Sequence, residues 1–151
     1  MIKILFSTVL TLTICLNVFS QTDDQRSAIA TIDRLWEGMR LKNAEMIKSV
    51  FTAEGQLVAI DKPRDGKGLS KTRVFTAEAF AKNISEAKAA EFLEKMPSPD
   101  ARIFGDLAIV TGRYTFYVGD KFSHCGTNTF NLVRTETGWK IANAASTLEF
   151  Q

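Results

Sequence analysis

The sequence predicts an α+β fold, with helices set apart from a largely antiparallel sheet in a single domain. Three observations lead there. Apolar residues recur at helical spacing through the first half of the chain, and the period changes to two from about Glu91 onward. Turn residues fall between the period-two segments, so neighbouring strands run antiparallel and the class is α+β. With 151 residues, 45% of them hydrophobic and 24% charged, the chain can fill one core and not two.

The elements follow in order. Asp23 and Asp24 offer caps and favourable charge at a helix N-terminus, and Ile29, Ile32, Trp36 and Met39 then share one helical face. Asn43 caps a shorter helix with Met46, Ile47, Val50 and Phe51 inward, and Gly55 is expected to stop it. Gln56 to Ile60 reads as a strand, Asp61 to Ser70 as an exposed Pro/Gly loop, and Ser70 to Phe75 as a return strand. Thr76 caps a third helix, with Glu78 in its first turn and Phe80, Ile84 and Ala87 on one side. Segments near Glu91–Met96, Asp106–Val118, Phe122–Arg134 and Trp139–Phe150 complete a meander, with Gly119-Asp120 and Glu136-Thr137-Gly138 as hairpin connections.

Successive side chains of a strand point to opposite faces, which assigns the sheet's interior. Phe122, His124, Gly126, Asn128, Phe130 and Leu132 share the face with the large apolar residues, so His124 points inward and Cys125 outward. Adjacent in sequence but on opposite faces, the two cannot act as a Cys–His dyad. The same alternation groups Ala108, Val110, Gly112, Tyr114 and Phe116, and on the last strand Trp139, Ile141, Asn143, Ala145 and Thr147. Polar groups among apolar ones on a concave face predict a pocket, because a filled core would have to pair each of them. The opposite face carries Ile109, Thr111, Thr115, Cys125, Thr127, Thr129, Ala142 and Ala144, small and uncharged, with Arg113 nearby. Such a face predicts a homodimer through the outer side of the sheet.

The first twenty residues stand outside this domain. Lys3 precedes an apolar run of 13 residues, Ile4 to Leu16, and Val18 and Ser20 lie three and one residues before a cleavage point at Gln21. The run falls short of the roughly 20 apolar residues of a membrane span. A cleaved signal peptide over 1–20 is expected, with an exported protein, periplasmic or secreted, that has no membrane insertion after cleavage. Removal of Cys15 would leave Cys125 alone, so no intrachain disulfide is expected. Without Lys3 there are 18 basic and 17 acidic residues and no basic block, which argues against nucleic acid as a partner.

The order of elements, with Tyr114-Thr-Phe-Tyr, Lys121-Phe-Ser-His-Cys-Gly, Phe130-Asn-Leu-Val and Gly138-Trp-Lys-Ile, resembles the nuclear transport factor 2-like (SnoaL-like, ketosteroid isomerase-like) superfamily. The likeness is to its exported bacterial branch labelled lumazine-binding, over about Asp24 to Leu148. It implies a cone-shaped, cystatin-like half-barrel: a strongly curved mixed or antiparallel sheet, with three helices covering a pocket and dimerisation through the outer sheet face. Two positions depart from the family pattern. Asn128 stands where an acidic residue is common two positions past the glycine, and Ser146-Thr147 stands for Asp-Thr near the end of the last strand. Both substitutions remove carboxylates that an acid–base pair would use.

Three functions remain open on these residues. The first is a binding module holding a small, partly apolar molecule among Trp36, Tyr114, Phe116, His124, Asn128 and Trp139. The second is a cofactor-independent isomerase or dehydratase with His124 as acid or base, since imidazole titrates near neutrality, and Tyr114 donating to a developing oxyanion. The third is an interaction domain without a ligand. An inward carboxylate from Asp61, Glu91 or Glu94 near His124 would favour the second. One histidine and one thiol on opposite faces cannot assemble a metal site, and Gly66-Lys-Gly lacks the strand-to-helix context of a phosphate loop, so neither metal nor cofactor is expected.

Overall fold

A computed structural model describes residues 21–88 and 91–150; the expected signal peptide lies outside the described residues. Three helices, α1 (Asp23–Arg40), α2 (Ala44–Ser49) and α3 (Ala77–Ser85), pack on a sheet of seven strands. The strands are β1 (Phe51–Asp61), β2 (Lys71–Thr76), β3 (Phe92–Lys95), β4 (Asp100–Phe104), β5 (Leu107–Val118), β6 (Lys121–Thr135) and β7 (Gly138–Leu148). Their order is β2-β1-β7-β6-β5-β3, with β4 also paired to β5. Only β1 and β7 run parallel, so the sheet is mixed, and its two edges remain unpaired with each other. The result is the predicted α+β half-barrel, curved and unclosed.

Capping defines the helices. Thr22, one residue before the expected Asp23 and Asp24, is the true N-cap of α1: its hydroxyl accepts the Gln25 N–H, and the Gln25 side chain accepts the Thr22 N–H in return. The two aspartates instead occupy the first turn, where negative charge meets the helix dipole. Asn43 and Thr76 cap α2 and α3 as expected, accepting from Met46 and Ala79 at 3.0 and 3.1 Å. Gly55 is not a helix stop. The α2 helix ends at Ser49, Phe51 already belongs to β1, and Gly55 lies within that strand where a Cβ would sit 2.9 Å from the Phe51 side chain.

The core joins the α1 stripe Ala28, Ile32, Leu35 and Met39 to Ile47, Phe51, Val110, Phe130, Leu132 and Ile141. Burying each of these side chains other than Ala28 contributes about 1.5–3 kcal/mol. Strand β4 was not among the predicted segments; it pairs Asp100–Phe104 with Leu107–Thr111 through the short Gly105-Asp106 turn.

The alternation on β5 holds throughout, and on β6 from His124 to Leu132, but two bulges reverse the predicted phase elsewhere. Tyr117 pairs with Phe122 and Phe116 with His124, which leaves Ser123 as an extra residue. Phe122 therefore joins Tyr117 on the convex side, 40% exposed, with their rings edge to face at 5.8 Å. On β7, Leu132 pairs with Ile141 but Asn131 with Asn143, so Ala142 is the extra residue. Beyond it Ala144, Ser146 and Leu148 turn inward, and Asn143, Ala145 and Thr147, expected inside, belong to the other face.

Candidate functional site

Between the helices and the concave sheet lies a cavity of about 290 Å³. The wall from α1 is Leu35, Trp36 and Met39; α3 adds Phe80, Asn83 and Ile84; the sheet adds inward residues of β1, β2, β3, β5, β6 and β7. Most of the lining is apolar or aromatic. Five polar or charged side chains interrupt it: Arg73, Asn83, Glu94, His124 and Ser146.

Glu94 comes from β3, where alternation places it inward beside its partner Phe116 on β5. Protein surrounds it, and its partial exposure is to the cavity. The Nδ2–H of Asn128 donates to its Oε1 at 2.5 Å, and the Trp36 side chain donates as well. Burial outweighs these donors and pushes the carboxyl up to about 7. Asn128 is itself 1% exposed, and its Oδ1 has no partner, so its amide is committed to orienting the acid.

Phe116 pairs with Glu94 on one side and with His124 on the other, which sets the three in one row across β3, β5 and β6. Two strand spacings separate the acid from the imidazole, roughly 10 Å between Cα atoms. The His124 ring stacks on Phe116 at 4.9 Å and meets Tyr114 and Phe150 at 5.8 and 5.7 Å. Burial lowers its pKa, partly opposed by the Asp61 charge, so the ring is neutral at pH 7. Nδ1 lies 3.0 Å from the Ser123 hydroxyl, which leaves Nε2 for a ligand.

Arg73 and Asp61 close another part of the lining with two hydrogen bonds of 2.7 and 2.9 Å. The pairing lowers the Asp61 pKa, and the half-exposed guanidinium lies 5.6 Å from the Phe75 ring centroid. Among the described residues no cluster of histidine, cysteine and carboxylates could hold a metal ion.

Solved structures share this architecture. A protein of unknown function with a cystatin-like fold from Nostoc punctiforme superposes with a TM-score of 0.66 at 9% identity, over 83% of this chain and 91% of its own. A protein like nuclear transport factor 2, with a cystatin-like fold, from Novosphingobium aromaticivorans gives 0.63 at 16%, over 82% and 81%. The chain has the nuclear transport factor 2-like fold. A proposed dehydratase of that family from Streptomyces avermitilis also superposes, at 0.61 and 15% identity over 85% and 97%. No protein-family model matches the sequence, and no curated protein matches it significantly.

Within the nuclear transport factor 2-like cone the predicted residues separate. Trp36, Tyr114, Phe116 and His124 line the cavity together. Asn128 is not part of the lining; it stands behind Glu94. Trp139 lies elsewhere, buried beside a depression lined by Thr31, Arg34 and Lys140, with the Arg134 guanidinium 4.3 Å from its ring centroid. Tyr114 reaches the cavity with its ring, but its hydroxyl donates to the Thr147 carbonyl at 3.0 Å, and that commitment argues against the oxyanion role. Of the three carboxylates flagged, Glu91 is on the surface with Arg40, Asp61 is paired with Arg73, and Glu94 is the inward one. Its signal was the alternation of Phe92 and Glu94 on a short strand, legible only once β3 is paired in register with β5. Ser146 faces inward and Thr147 does not, so the departure from Asp-Thr leaves that position of the cavity without a carboxylate, and the inward carboxylate comes instead from Glu94 on β3.

Proposed function

We propose that this protein binds a small, largely apolar molecule in the cavity between α1, α3 and the concave sheet. The observation that carries the reading is an apolar cavity open beside a fixed polar floor, Glu94 held by Asn128 and Trp36. Ligand pockets combine such apolar walls with a few placed polar groups. The fold neighbours are consistent with it, and so are the four predicted residues that share the lining.

The test uses 2-phenylethanol as a neutral probe. Saturation-transfer NMR is expected to show it bound to the native protein, and Ala59→Trp, which fills the cavity from β1, to abolish the transfer while the circular dichroism spectrum is kept. Equal transfer in the filled variant would place the probe elsewhere and end this reading.

A second reading, an isomerase or dehydratase-like activity, draws on one observation. Glu94 and His124 flank the same ring, one with its pKa raised and the other with its pKa lowered. Environments that push two titrating groups apart are how acid and base roles are assigned. Glu94 as carboxylate would take a proton from carbon and His124 would serve the other end; Tyr114 has no part in it beyond its ring. A phenyl ketone held in the cavity in deuterated buffer should then exchange its α-hydrogens faster than free in solution, and Glu94→Gln should remove the excess rate. Exchange no faster than in buffer alone would exclude Glu94 as a base toward carbon.

A further inference from the structure

The floor of the cavity has a charge with no opposite. Both groups that hold Glu94, the Asn128 amide and the Trp36 indole, are neutral N–H donors, so the carboxyl is arranged as an acceptor. Among the described residues no ion pair includes it. The guanidinium elsewhere in the lining is already taken by Asp61 in two hydrogen bonds, and His124 is neutral at pH 7. Aromatic side chains line the same cavity, Trp36, Phe75, Phe80, Phe116 and Phe130, with Trp36 bonded to the acid and Phe116 its partner on the next strand. Aromatic faces attract a cation, and a buried carboxylate without a counter-charge is costly until one arrives.

We propose that the ligand is an apolar monoamine, its ammonium placed against the Glu94 carboxylate and its hydrocarbon body against Leu35, Met39, Phe80 and Leu57. This rests on the reading of the cavity as a ligand pocket and names the class of molecule that fits it. A second ammonium would meet no second carboxylate in the lining, where Glu94 is the one acidic side chain among the described residues, which selects against diamines. A carboxylate ligand would face Glu94 as a like charge. Burial supports the same choice, because an acid lifted to about 7 is returned to its ionised form by a neighbouring ammonium. The groups packed against it leave that titration to Glu94 alone: Trp36 from α1 and Asn128 from β6 do not titrate, and burial raises the Tyr114 phenol further out of range. His124 and the Arg73–Asp61 pair stand at other parts of the wall.

Calorimetric titration of the purified protein with 2-phenylethylamine, 2-phenylethanol and phenylacetate decides between the classes. At about pH 8 the amine should bind roughly tenfold or more tightly than the alcohol, with phenylacetate weakest. The amine's advantage should shrink toward about pH 6, where Glu94 is protonated in the free protein. Glu94→Gln, which keeps an acceptor for Asn128, should bind amine and alcohol alike. Alcohol binding as tightly as amine in the native protein overturns the amine assignment and leaves the pocket standing. An amine preference that persists in Glu94→Gln, or is flat with pH should that variant fail to fold, removes Glu94 as the recognising group. No binding of any probe at millimolar concentration overturns the amine assignment and the pocket reading together.

Discussion

At the scale of single residues, Glu94 makes the most specific demand on the molecule. Its folded pKa of about 7 lies above its ordinary value of 4.5, so the native state binds that proton more tightly than the unfolded chain does. Stability from this group is therefore complete below pH 4.5, is lost as pH rises from 4.5 to 7, and stays lower beyond. A shift of that size corresponds to roughly 3 kcal/mol. The Glu94→Gln protein carries no such loss. Urea denaturation should find the two proteins similar near pH 4.5 and the variant more stable by about 2–3 kcal/mol at pH 8. His124 acts in the opposite sense: its pKa is lowered by burial, so it costs stability as pH falls through 6.5. That contribution is common to both proteins and cancels in the difference. A constant gap between the two curves across this range would show that Glu94 ionises as freely in the fold as in water.

At the scale of elements, the contact between β6 and β7 explains the His-Cys-Gly segment. Beyond the Asn128–Ser146 pair the regular ladder stops; Thr127 N–H bonds the Thr147 hydroxyl at 2.9 Å, and Cys125 bridges to Glu149. The Thr147 carbonyl is thereby aimed across Gly126 to accept the Tyr114 hydroxyl. A Cβ on residue 126 would overlap that carbonyl oxygen, which is backbone and cannot swing aside. Gly126→Ala should cost at least about 3 kcal/mol in denaturant unfolding, because either β7 withdraws or the Tyr114 bond breaks. A loss under about 1 kcal/mol would mean the strand end is free to move. The same elements show what alternation can and cannot tell. Period two assigned β5 and the middle of β6 correctly, because long paired strands keep their phase. It failed on β7 past Ile141 and on Phe122 because a bulge inserts one residue without any marked change in composition. It missed β4 because Asp100–Phe104 is short and half-charged, and is held as a strand by its pairing with β5. The floor of the site shared that fate. His124 and Phe116 could be placed from their own strands, whereas Glu94 acquired meaning only from partners 34 residues away in sequence.

At the scale of the whole molecule, the helices and cavity occupy the concave side, and the convex side of β5, β6 and β7 is left as a surface of small residues. The corrected phase of β7 changes that surface, replacing Ala144 by Asn143 and Ala145 beside Thr111, Thr127 and Thr129. Its hydroxyls are joined across strands, Thr111 donating to the Asn128 carbonyl at 2.8 Å and lying 3.1 Å from the Thr129 hydroxyl. Charge lies around its margin: Arg113 and Lys62 hold Glu149 at 3.2 and 2.8 Å and draw its carboxyl down to about 2, Asp100 and Arg102 pair on β4, and Lys140 stands at the other end of β7. An uncharged sheet face with a charged rim is the pattern of an interface that excludes water at its centre, and we propose that two copies meet through it. Sedimentation velocity should then give a dimer at micromolar concentration. Thr129→Lys, placed at the centre of the face with its side chain outside the cavity, should convert it to a folded monomer, since two symmetry-related lysines would be brought together and desolvated. Because the cavity opens on the opposite side, that monomer should still bind 2-phenylethanol as the native protein does. A native protein that sediments as a monomer, or a Thr129→Lys variant that remains dimeric, would remove the convex face as the interface and leave the pocket untouched.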